Sequence, residues 1–141
     1  MTPEQIEIVK RNFIQIAPLE DEVATGFYER LFQLDPSLRS LFKEDLSEQK
    51  KKLIMMLEFA VGTLDRIDVF EPSLEELGRR HVAYGVRETH YETVGAAFIL
   101  TLRAMLGAAL TEQLEAAWIA AYMLIAGTMQ RAASAVQAQA A

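Results

Sequence analysis

The stretch Leu74-Glu-Glu-Leu-Gly-Arg-Arg-His81-Val-Ala-Tyr-Gly-Val86 has the period of an amphipathic helix. At about 100° per residue, Leu74, Leu77, Gly78 and His81 fall on one stripe, and Glu75, Glu76, Arg79 and Arg80 take the other side. The stripe directs a histidine toward the core. By periodicity alone His81 has two meanings: a core histidine donating to a carbonyl one turn back, or a metal ligand. The chain holds only one other histidine, His90, which lies in the first turn of another expected helix. A surface role is the simplest for it. Gly85 is predicted to close the His81 helix as a left-handed cap, and Pro72 or Ser73 to open it after a connection over Asp68 to Glu71.

Five more long helices are predicted on either side. Thr2-Pro3-Glu4-Gln5 has the form of a capping box and starts a helix to about Ala17, where Pro18 ends it. A second, from about Leu19 to Leu34, carries Ala24, Tyr28, Leu31 and Phe32 on one face and stops at Asp35-Pro36. Pro36 to Phe42 is a short turn or single helical turn. Ser47 is expected to cap a helix to about Arg66, on which Gln49, Leu53, Met56 and Ala60 share a stripe. Thr89-His90-Tyr91-Glu92 repeats the capping-box form and opens a helix lined by Val94, Phe98, Leu102 and Leu106. Thr111 caps the last one, where Leu114, Trp118, Tyr122, Ile125 and Met129 recur every three or four residues. The tail from Ala132 to Ala141 is expected to fray. No alternating segment is long enough for a sheet, so the fold class is all-α: six long helices plus a short one.

A chain of 141 residues, 51% hydrophobic and 24% charged, fits one globular domain, 1–141. Its formal net charge of −6 argues against a nucleic-acid partner bound through a broad basic surface. The absence of cysteine removes disulfides and thiolate metal sites and fits a reducing compartment. The N-terminus has no basic segment followed by an apolar run, so no signal peptide is expected, and a cytoplasmic location is. The only apolar window near membrane length is read as the alanine-rich stretch after Ala116; Gln130 and Arg131 make it a soluble helix, so no membrane partner is expected. No carboxylate pair, Ser/His/Asp order or glycine-rich phosphate loop argues for hydrolytic or nucleotide chemistry.

Tyr28, Gln49 and His81 sit on the inner faces of three different helices. Leaving such groups unpaired when buried costs roughly 1 to 3 kcal/mol each, so each needs a partner, and one partner could be a ligand. Against that, Tyr28 also reads as plain core, Gln49 as an exposed residue near a helix start, and Lys52 and Arg80 as solvated.

Several motifs, taken in order, resemble the globins, and most closely the bacterial single-domain branch related to the haem domain of flavohaemoglobins. They are Phe27-Tyr28-x-x-Leu31-Phe32, Pro36 before Leu41-Phe42, Gln49, Gly78-Arg79-Arg80-His81-x-x-Tyr84-Gly85-Val86, His90-Tyr91-x-x-Val94-Gly95, and Ala117-Trp118-x-x-x-Tyr122. The match runs from about residue 5 to residue 131. The resemblance implies a globin fold around a haem pocket, with haem b as cofactor and His81 as the iron ligand. It puts Phe42 on the porphyrin face, Tyr28 and Gln49 on the distal side as donors to a bound gas, and Leu53 one turn beyond Gln49. It leaves Lys52 and Arg80 within reach of the propionates, Val86 beside the ring, and Tyr91 near the proximal imidazole. His81 is expected to donate its other ring nitrogen to a carbonyl near Leu77.

The implied function is reversible binding of O2, NO or CO at a five-coordinate iron, for oxygen storage, delivery or scavenging. Nitric oxide dioxygenation with an external reductase is the enzymatic alternative. A helical interaction module whose inward polar groups pair with one another is a third reading. Two departures stand out. Gln49 occupies a position where globins often carry histidine, which argues against bis-histidine coordination. A glutamate that the flavohaemoglobin-like branch carries on the last helix falls at Ala133. No flavin or nicotinamide module is expected beyond the haem domain.

Overall fold

Thr2 accepts from the Gln5 backbone N–H while the Gln5 side chain accepts from the Thr2 N–H, so the chain's first turn is closed reciprocally. From that cap a computed structural model describes residues 1–140, with side chains described through residue 136. It comprises α1 (Pro3–Ile16), α2 (Glu20–Leu34), α3 (Ser47–Thr63), α4 (Ile67–Ala83), α5 (Glu88–Leu106) and α6 (Glu112–Ala140). Short 3-10 segments lie at Ala17–Leu19, Pro36–Leu41, Leu64–Arg66 and Gly107–Ala109. The six long helices and the short Pro36–Leu41 segment are those the sequence predicts, and no strand occurs among the described residues.

α6 is the spine. α1, α4 and α5 all rest on it, α2 crosses α5, and α3 leans on α1 and α2. Val9, Leu31, Leu74, Leu102 and Ala117 are almost completely buried between these layers. One polar link runs through this core: Trp118 Nε1 donates to Asn12 Oδ1 at 2.9 Å, and Asn12 passes a hydrogen bond on to Gln15 Oε1. It satisfies the indole N–H and fixes α1 against α6.

The structure departs from the sequence reading at several boundaries. α4 begins at Ile67, so Asp68 to Glu71 is helix rather than connection, and Pro72 lies inside it. Proline there removes one hydrogen bond to the carbonyl four residues back. Packing at this end outweighs that loss: Phe70 of α4 meets Phe59 of α3 edge to face, with ring centroids 5.6 Å apart. Ser47 is not the cap of α3. It is the first helical residue, and Asp45 Oδ1 accepts from both its N–H and its hydroxyl. The Thr89 box is also displaced: α5 starts at Glu88, and His90 Nδ1 accepts the Arg87 backbone N–H at 2.9 Å. Thr111 does cap α6, accepting from Leu114 N–H at 3.1 Å.

The expected frayed tail from Ala132 is instead helical to Ala140, with Ala132 and Ala133 buried; alanine's high propensity continues the helix without a large apolar face. Ala141, also part of that expectation, lies outside the described residues. Among the described residues, the helix long and apolar enough to cross a membrane, by length and composition, is Glu88–Ala109 rather than the stretch after Ala116. Within the fold its Ala97, Phe98, Thr101 and Leu102 are buried.

Candidate functional site

α3 and α4 meet at the Phe59–Phe70 contact beside their connecting turn and are otherwise held by different supports, α3 by α1 and α2, α4 by α6. Counting 1.5 Å per residue, Gln49 lies about 15 Å back along α3 from that corner and His81 about 16 Å forward along α4. The two residues therefore sit at matching distances from the corner. Between them the apolar residues are half-buried rather than sealed: Leu53, Met56 and Leu57 on α3, Leu77 on α4, and Phe42 and Val86 beyond the helix ends. From these separate supports and incompletely covered apolar faces we infer a cleft between α3 and α4 that a flat apolar group can complete.

α4 is pressed onto α6 at Gly78. A Cβ there would stand 2.3 Å from the Met129 carbonyl oxygen, so only glycine fits. Leu74 and Gly78 face α6, while Leu77 and His81, one stripe over, are half-buried at the cleft. His81 is thus not a core residue, as the single-stripe reading had it; the stripe splits between the α6 contact and the cleft. The helix ends in a Schellman motif: Gly85, with φ of 88°, donates to the Val82 carbonyl at 3.1 Å, and Val86 donates to that of His81 at 3.0 Å. This motif fixes both His81 and Val86.

His81 Nδ1 lies 2.7 Å from the Leu77 carbonyl oxygen. A carbonyl can only accept, so Nδ1 carries the proton and Nε2 keeps its lone pair. Burial holds the imidazole below its usual pKa, against the opposing pull of the Leu77 bond, and the ring is neutral at pH 7. A neutral imidazole with a free lone pair is a metal ligand in form. Among the described residues no group of three or more His, Asp or Glu side chains is placed to hold a metal ion. Any metal at His81 must therefore bring most of its ligands with it.

On the opposite side Tyr28 is buried within an aromatic cluster, 5.0 Å from Phe27, 6.0 Å from Phe32 and 5.6 Å from Phe42 between ring centroids. Its hydroxyl donates to the Gln49 carbonyl at 3.5 Å, the outer limit for such a bond. Burial raises the phenol pKa and contact with Gln49 opposes it, so the group is a protonated donor at neutral pH. The Tyr28 hydroxyl donates to the Gln49 backbone carbonyl, and the Gln49 side chain also lies within reach of the phenol and lowers its pKa.

Tyr28, Phe42 and Gln49 are therefore brought together, and Leu77, His81 and Val86 are joined by hydrogen bonds. Lys52 and Arg80 are exposed on α3 and α4; Arg80 reaches Glu76 at 3.6 Å, whereas no ion pair of Lys52 is found among the described residues. Tyr91 is buried, and its hydroxyl has no partner among the described residues. Burial alone pushes that phenol up.

Sequence reasoning left Tyr122 out of the site, yet its hydroxyl donates to the Tyr91 backbone carbonyl and fixes that residue. Burial, with Tyr91 beside it, raises the Tyr122 pKa strongly. The available signal was Gly95: its absent Cβ would stand 2.7 Å from the Tyr122 ring. Met56 and Leu57 were also left out, because an apolar stripe does not say whether a neighbouring helix covers it.

A family profile described as Globin matches residues 25–129. The neuroglobin of Danio rerio is 34% identical over 118 residues, 74% of each chain. The flavohemoprotein of Bacillus subtilis is 32% identical over 127 residues, which take in 86% of this chain; the match spans only 31% of that longer protein. Among solved structures, a bacterial globin from Campylobacter jejuni superposes with a TM-score of 0.85 at 25% identity, over 96% of this chain and 99% of that one.

Proposed function

We propose, from the premise that this chain belongs to the globin family, that it holds one haem b through His81 Nε2 and reversibly binds O2, NO or CO, for oxygen storage, delivery or scavenging. The observation that carries this reading is a neutral, half-buried histidine, its Nδ1 proton committed to Leu77, among half-buried apolar residues and with no cluster of metal-ligating side chains among the described residues. When bound, haem b would supply an iron able to take up a diatomic gas while held by an imidazole.

The rest is the work of the chain's own side chains. The Leu77 carbonyl fixes the His81 tautomer and orients the ring. Phe42 would offer apolar contact to the porphyrin face, Leu53 one turn beyond Gln49, Val86 beside the ring and Tyr91 near the His81 imidazole. Tyr28 is the donor to the gas: its phenol stays protonated, and it gives up little on leaving a 3.5 Å contact. The Gln49 amide is a second donor and no strong iron ligand, so the imidazole of His81 would be the one side chain of this pair to hold the iron. Lys52 and Arg80, both exposed, could reach the propionates, Arg80 by leaving Glu76, and each such ion pair would contribute about 0 to 1 kcal/mol.

The likeness to a flavohemoprotein over 86% of the chain favours one second reading, nitric oxide dioxygenation: NO and O2 become nitrate with one electron from a separate reductase. Tyr28 and Gln49 would hold O2 for either task. The dithionite-reduced protein, examined by absorption before and after air, tests the first reading, and stopped-flow mixing times O2 release. A spectrum that shifts on aeration and reverts under vacuum is expected; one unmoved by air contradicts it. Sustained NO consumption with a reductase supports the second, and a single stoichiometric burst removes it.

A further inference from the structure

The most apolar window of Glu88–Ala109 is only 22% buried, although this helix lies against two others. Its outward stripe runs Glu92, Ala96, Leu100, Arg103, all exposed. Beside it α6 turns out Ala116, Ile119 and Met123, and Leu100, Ile119 and Met123 are 37%, 38% and 68% exposed. The register between the two helices is set by the Arg103–Glu115 ion pair near one end and by the Tyr122 ring against Gly95 farther along. Leu100 is thereby level with Ala117 and Trp118, and Ala96 with Ala121 and Tyr122, so Ile119 falls between Ala96 and Leu100 and Met123 between Glu92 and Ala96, and the exposed side chains form one continuous face.

From this face we infer that the chain forms a two-fold dimer, with the α5–α6 layer of one copy lying on that of a second. The face is complementary to itself in size and in charge. Consider a two-fold axis lying in the face, perpendicular to the helices, at the level midway between Ala96 and Leu100. It sets α5 antiparallel on its counterpart, Leu100 over the partner's Ala96, and Glu92 beside the partner's Arg103. At that same level on α6, between Ile119 and Ala120, the operation lays Met123 over the partner's Ala116 and Ile119 over the partner's Ala120. Large side chains meet small ones in both seams, the arrangement that lets helices approach closely. One axis position serves both seams because the Arg103–Glu115 register fixes their relative level. Arg103 keeps Glu115 while receiving the partner's Glu92, since a guanidinium has donors for two carboxylates. An isologous contact of this kind closes on itself and leaves no edge for further growth.

Sedimentation velocity over a concentration series, with circular dichroism to confirm helicity, tests the inference on the haem-loaded protein. The wild type is expected to sediment as a dimer. Leu100→Glu and Met123→Glu, both at exposed positions, are each expected to raise the dissociation constant by about tenfold or more at unchanged helicity. Glu92→Arg and Arg103→Glu should each weaken the dimer, and the double reversal should recover it. A wild type monomeric throughout the series overturns the inference, as do Leu100→Glu and Met123→Glu variants that dimerise as before. A double reversal that recovers nothing also overturns it. So does a monomer that cofloats with phosphatidylcholine vesicles, which would assign the same face to a lipid surface.

Discussion

His81 and Tyr28 divide the chemistry between a base that must stay neutral and an acid that must stay protonated. Burial moves both in the required direction, the imidazole down and the phenol up. For His81 this has a pH consequence. Its folded pKa lies below the ordinary 6.5, so as pH falls the unfolded chain takes up the proton first. The stability this group contributes is intact above about 6.5 and declines as pH falls toward the folded value. We expect haem retention and melting temperature to fall together through that range, and a flat pH profile would argue against a buried neutral ligand. Tyr28→Phe removes one neutral hydrogen bond of about 1 to 1.5 kcal/mol and should speed O2 release by about 5- to 12-fold, read by stopped-flow. An unchanged rate would mean that the phenol does not face the gas. His81, Tyr28 and Gln49 were legible in the sequence as inward polar groups because helical period reveals direction. That Tyr28 bonds to the Gln49 backbone was not, because backbone partners leave no trace in residue type.

The helix positions follow from short-range chemistry, and here the sequence was readable at some ends and misleading at others. Gly85 gave the end of α4 because its positive φ is a backbone demand that glycine meets locally. Pro72 pointed to a start that does not exist, because the Phe59–Phe70 contact, a tertiary effect, carries α4 back to Ile67. Asp45 and His90 serve the helix starts in place of the expected Ser47 and Thr89, and several polar residues in a row make such competition hard to settle in advance. Gly78 shows how one element sets the site. Gly78→Ala drives a Cβ into the Met129 carbonyl, and overpacking of this kind costs about 1 to 3 kcal/mol or more. In urea unfolding the variant should show that loss, along with faster haem release as α4 moves off α6. Unaltered stability would mean that α6 yields at Met129.

Across the whole molecule, the all-α architecture was readable because each helix carries its own period, whereas the pairing of helices depends on contacts between residues far apart. The Asn12–Trp118 bond, spanning 106 residues, is such a contact. Asn12→Ala would strand a buried indole N–H and should cost about 1 to 3 kcal/mol in denaturant unfolding; a smaller loss would mean that the indole finds another acceptor. Packing of this kind holds α4 on α6 and α3 on α1 and α2, and so keeps open the cleft that His81 faces. Titration of the apoprotein with hemin, for wild type and His81→Gly, followed by addition of imidazole, tests the central claim most directly. One equivalent should give a tight complex with a Soret band in the wild type, weak retention in the variant, and recovery with imidazole. A variant that holds hemin as tightly and with the same spectrum as the wild type would contradict ligation by His81.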